Sequence, residues 1–205
     1  MTKRRELIWR TAGVAAGAAL LVGVAGAAAA EEGDAAGAVG VEVDIADNAD
    51  PGALALTVES ASTALIEDGS TDLVRQFTGG LPTVTVTDTR SPDEIPEGAY
   101  WYVVGSASAF TGDDGQDPIP AESLGWAPEL IDGGASGNVA EGDEVAPELD
   151  GGPGLVGQEL LAMAFDSSEI RDEQAWTATA DLTMRVDADV APGSYSALLT
   201  LSLFE

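Results

Sequence analysis

Three carboxylates crowd the stretch TGDDGQDP, where Asp113, Asp114 and Asp117 set oxygen donors on a glycine-containing turn. Hard divalent cations are held by oxygens presented in this way. A second group, Asp44, Asp47, Asn48 and Asp50 in DIADNADPG, has the same character. Calcium is the cofactor such residues could hold. Neither group has EF-hand spacing, and an acidic chain carries dense acids in its turns in any case, so a solvated turn is the plainer alternative.

Other chemistry has few means here. The chain contains no His and no Cys, which removes the imidazole base, the thiolate nucleophile and the usual zinc ligands. No Lys follows Lys3, and no Ser sits in a G-x-S-x-G elbow. The glycine-rich stretches GDDGQD and DGGPG are too acidic to cradle an anion. A carboxylate pair cleaving a glycosidic bond is the remaining route, and so acidic a chain offers such pairs by chance. The residue inventory therefore points away from an enzyme. Aromatic side chains could instead stack on sugar rings or fill a core, and Trp101, Trp126, Trp176 and Tyr195 suit either role. In an extended strand the consecutive Tyr100, Trp101 and Tyr102 cannot all face one way.

The elements that must position these residues begin after an export signal. Lys3, Arg4, Arg5 and Arg10 precede an apolar Ala/Gly-rich run from Thr11 to Ala27, and small residues up to Ala30 meet Glu31 and Glu32. This is the order of a secretory signal peptide, residues 1–30, with cleavage at Ala30. The Arg4-Arg5 pair leaves the general and the twin-arginine routes both open. Beyond Ala30 four Arg face 35 acidic residues, a net charge of −31 over 175 residues. Such a field repels nucleic acid, and no later segment is apolar enough to span a membrane. The expected location is secreted, extracellular or associated with the cell wall.

Residues 31–205 read as one all-β domain. Alternating apolar residues mark Val39 to Ile45, Leu54 to Val58, Thr83 to Arg90, Ala99 to Phe110 and Trp176 to Val186. QELLAMAFD fits a strand or a helical turn. The tail PGSYSALLTLSLFE sets Tyr195, Ala197, Leu199, Leu201 and Leu203 on one face. Short turns and the lack of helix–strand alternation imply an antiparallel β-sandwich. Because the stretch APGSY reads as a turn, the last two strands are expected to form a hairpin, with the terminal strand central in its sheet. Residues 131–157 are acidic, glycine-rich and poor in apolar residues, and are expected to form one long flexible loop. Just before it, Leu124 and Trp126 are expected to tuck against the sandwich edge.

The tail has a further pattern: Tyr195, three residues, Leu199-Thr200, Leu201, Ser202 and Leu203. It resembles the distal motif of WxL-domain surface proteins, Y-x-x-x-L-T-W-x-L. Trp101-Tyr102-Val103 is similar to that family's upstream W-x-L segment. Position 201 is Leu where the family has Trp, and Val103 stands where it has Leu. The resemblance covers roughly residues 81–205 and implies a β-rich Gram-positive surface protein bound non-covalently to the wall, through peptidoglycan. Trp101, Val103, Tyr195, Leu199, Thr200, Leu201 and Leu203 would be its wall-binding set. The expected function is thus a secreted, non-catalytic surface protein whose partner is a cell-wall polymer or another surface protein. The alternative is a structural subunit of a surface fibre or layer.

Overall fold

The computed structural model describes residues 51–205, all within the compact unit Asp47–Glu205. The signal segment with Ala30, the strand expected at Val39 to Ile45 and the acidic group at Asp44 to Asp50 lie outside the described residues.

The fold is all-β and antiparallel, as the alternation implies. One sheet is organised on β10 (Ala175–Asp187), a strand of 13 residues. Trp176, Ala178, Ala180, Leu182, Met184 and Val186 all point inward and are buried. One edge of β10 pairs with β7 (Leu124–Asp132). Its other edge is shared, first by β4 (Val84–Asp88) and then by β3 (Val74–Gly80). The gap between β3 and β4 is filled by the chain that joins them. Leu81 N–H donates to Ala180 O, and the Thr179 hydroxyl donates to Leu81 O at 2.6 Å. Outside these lie β1 (Leu54–Val58) on β4 and the short β2 (Ile66–Glu67) on β3. The β2–β3 pair was not among the expected strands, because VRQFTGG offers little alternation to read.

The second sheet runs in the order β12 (Leu199–Phe204), β5 (Tyr102–Ala107), β9 (Glu159–Ala164) and β8 (Val139–Glu141). QELLAMAFD is therefore a strand, followed by one helical turn, α1 (Ser167–Ile170), capped by Asp166 accepting from Ser168 N–H and Glu169 N–H. Two further short strands, β6 (Thr111–Gly112) and β11 (Tyr195–Ser196), pair with each other. Between the sheets the core is set by Trp101, Trp126 and Trp176 with Leu155, Leu161 and Ile170. The rings of Trp101 and Trp176 lie 5.4 Å apart at 44°. Gly105 on β5 makes room for the third: a Cβ there would fall 2.6 Å from Trp126 Cη2. Leu124 and Trp126 do not merely tuck against an edge, since both are buried on a full strand, β7.

Two further expectations are corrected. The last two long strands are not a hairpin: β10 and β12 belong to different sheets, and among the described residues β12 ends its sheet rather than sitting in its centre. The Pro192-Gly193 stretch carries the chain across the sandwich between sheets. Residues 131–157 are also not one flexible loop. Val139 starts β8, Val145 exchanges two backbone hydrogen bonds with Trp126, and Leu155 is fully buried. Apolar residues are sparse there; Val139, Val145 and Leu155 are buried in the core while Ile131, Leu149 and Val156 are exposed, and several backbone groups between them find partners. Acid side chains help: Glu173 Oε1 accepts from Ala135 N–H and Ser136 N–H.

Candidate functional site

Among the described residues the two ends of the sandwich differ. At one end Arg90, just past β4, bonds to Glu205 at the end of β12. Towards the other end β1 and β12 part. A cleft of about 860 Å³ opens between the sheets there. Its walls are Leu56 and Val58 of β1, Phe77 of β3, Leu182 and Met184 of β10, and Leu199 and Leu201 of β12. Tyr195 packs at the mouth, where its hydroxyl donates to Ala191 O.

The strands bounding the cleft end their sheets. Among the described residues, neither the outer edge of β1 nor that of β12 has a strand partner. Two rows of backbone donors and acceptors thus flank an apolar trough. Unpaired edges of this kind are templates for another strand. Val58, 41% exposed, and Leu198, 69% exposed, leave apolar surface at the opening.

Arg75 is the charged residue of the cleft lining, stacked 5.3 Å from the Phe77 ring. Its fork is satisfied by Glu67, with Nε donating to Oε1 at 3.0 Å and Nη2 to Oε2 at 2.8 Å. That bond, with a smaller one from the Ser70 hydroxyl, holds the Glu67 carboxyl down at about 2. Both groups stay charged and matched to each other. Among the described residues the lining brings together hydroxyls and apolar side chains around Arg75. Such a lining suits the burial of apolar side chains.

The residues singled out from the sequence fall into three places. Asp113, Asp114 and Asp117 are exposed on the turn after β6, and among the described residues no three acidic side chains converge on a common point. Trp101 and Val103 are each 1% exposed. Leu199, Leu201 and Leu203 pack on the core beside Tyr195, and Thr200 faces outward. The proximal and distal segments are brought together as adjacent strands, with Leu203 opposite Val103 and Leu201 opposite Gly105. Their apolar side chains build the interior and the cleft wall.

The outer face of this second sheet carries a row that the sequence foreshadowed only as a steric necessity. With Trp101 turned inward, Tyr100 and Tyr102 turn out. Tyr100 stacks on Tyr102 at 6.1 Å, and Tyr102 on Phe204 at 5.3 Å. Tyr100 is 47% and Phe204 38% exposed. No protein-family model, no curated protein and no solved structure matches the chain.

Proposed function

We infer that this is an exported, non-catalytic structural subunit, one that assembles at the cell surface by accepting a β-strand. The observation that carries the reading is the apolar cleft between the edges of β1 and β12, which have no outer strand partner among the described residues. Strand addition at such an edge draws affinity from main-chain hydrogen bonds and specificity from pockets for alternate side chains. The lack of His and Cys, and of Lys beyond Lys3, agrees with a structural role. Light scattering of the purified chain over a range of concentrations tests it. Growth of ordered oligomers with concentration is the expected result; a monomer throughout would overturn it.

A second reading is non-covalent association with a wall polymer such as peptidoglycan. The aromatic row Tyr100–Tyr102–Phe204 on an outer face favours it, because exposed rings are what sugars stack on. The buried Trp101 and Val103 would act only by shaping that face. Co-sedimentation with insoluble wall, lost in a Tyr100→Ala/Phe204→Ala variant, would support this second reading.

A further inference from the structure

The outer face of the second sheet carries side chains of two kinds in register. Across β12 and β5, Phe204 lies opposite Tyr102, Ser202 opposite Val104 and Thr200 opposite Ser106. Rings therefore gather at one end of the face and hydroxyls at the other. Not one of these side chains is charged, in a chain that carries 36 acidic residues. The rings share a tilt, since Tyr100 and Phe204 are each parallel to Tyr102 within 26°. Yet Tyr100 is displaced along β5 and Phe204 across to β12. Rings displaced in two directions cannot close into one column. They overlap like shingles, and Tyr100 and Phe204 keep ring surface exposed.

We propose that this face binds an uncharged polysaccharide, with sugar rings laid on Tyr100, Tyr102 and Phe204 and sugar hydroxyls bonded to Ser106, Thr200 and Ser202. The inference rests on the wall-polymer reading and names the chemistry of that polymer; it does not involve the cleft. Both halves of the face suit this occupant. Sugar C–H groups stack on the electron-rich face of an aromatic ring. Serine and threonine hydroxyls donate and accept, as sugar hydroxyls do. An apolar protein surface would cover the same hydroxyls without partners, at a cost in free energy. A polyanion is repelled by the acidic chain, and neither β5 nor β12 carries a Lys or Arg to offset that. From Thr200 to Phe204 the strand runs about 13 Å, which suits an extended chain better than a single sugar.

The test sediments the full-length chain with insoluble chitin, with insoluble cellulose and with wall stripped of its anionic polymers, at low and high sodium chloride. Retention on at least one of the three is expected, equal at both salt concentrations because no charge is paired. A soluble oligosaccharide of the same sugar should displace it. Tyr100→Ala and Phe204→Ala should each weaken retention about tenfold. Tyr100→Phe, which keeps the ring, should leave it unchanged. All three variants should keep the near-ultraviolet dichroism of the buried tryptophans. Retention undiminished in both alanine variants overturns the proposal, because the sugar then sits elsewhere. Binding to whole wall that disappears once the anionic polymers are stripped also overturns it, and leaves the wall-polymer reading standing. A chain retained neither by these glycans nor by whole wall removes both. A dimer that the alanine variants abolish, with no retention on any glycan, would give the face to a second copy and overturn the proposal as well.

Discussion

Arg90 fastens the last residue of the chain to the opposite sheet: its Nη1 lies 2.7 Å from Glu205 Oε1, and its Nη2 lies 2.7 Å from Asp88 Oδ2. Asp88 is 2% exposed, and the bond to it, followed by the one to Glu205, holds the guanidinium proton more firmly than usual. The two partners are not equivalent. Removing Arg90 strands a buried carboxylate, which typically costs about 3–5 kcal/mol. Arg90→Ala is therefore expected to destabilise by that order in chemical denaturation.

Glu205 is 29% exposed at its side chain. A partly solvated pair of this kind contributes about 1 kcal/mol or less. Glu205→Gln should thus shift the denaturation midpoint only slightly. If its loss matched that of Arg90→Ala, the tie between the sheets would matter more than the buried Asp88 charge.

Gly105 gives the next expectation. The Trp126 ring and the Leu201 side chain both press on the space where its Cβ would be, at 2.6 and 3.1 Å. Overpacking a core typically costs about 1–3 kcal/mol, so Gly105→Ala should lower the melting temperature. The change should also alter the near-ultraviolet signal of Trp126. A neutral result would mean that β12 slides outward to admit the methyl.

How far this was legible in the sequence depends on which contacts are local. The inward set of β10 was plain, since alternation from Trp176 to Val186 names a face directly. The outward turn of Tyr100 and Tyr102 followed from the same geometry. Alternation does not name a neighbour, however. The tail pattern put Leu199, Leu201 and Leu203 on one face without revealing that β12 pairs with β5 and, among the described residues, ends its sheet. Val139, Val145 and Leu155 escaped because isolated apolar residues carry no period, although each is buried. The cleft escaped for a related reason: it is a space between two sheets, and its walls come from distant segments. The similarity of the tail to a wall-binding motif marked strands that do meet, while the side chains in question line the interior.

Salt should stabilise the fold. The chain carries 36 acidic residues against 8 basic ones, and self-repulsion of that kind destabilises the compact state. Raising ionic strength from about 0.01 to 1 M shortens the screening length from about 30 to 3 Å. The ion pairs Arg75–Glu67 and Arg185–Asp150 weaken under the same screening, but repelling carboxylates far outnumber them. A melting temperature that rises with sodium chloride is expected, each kcal/mol reading as about 2–4 °C in a chain of this size. A fall would mean that the few ion pairs outweigh the repulsion.

Glu173 ties the segment after β7 to the core, and pH should reveal it. Its Oε2 accepts from the buried Trp176 indole at 2.9 Å, while Oε1 accepts from Ala135 and Ser136 N–H at 2.8 and 2.7 Å. The indole bond, with those from Ser136 and Ala135, lowers the carboxyl below its usual range. A carboxyl depressed in the folded state binds its proton less readily there than in the unfolded chain, where it titrates near about 4.3. Its stabilisation is present above that value and is lost as pH falls through the lowered one. Glu173→Gln should therefore melt below the parent at pH 7, because an amide cannot accept from all these donors as a carboxylate does. The gap should narrow as pH drops from about 5 towards 3. Because both chains share the same acidic background, the difference between their melting curves isolates this one group. A gap that stays constant across that range would show that shape, not charge, holds the segment in place.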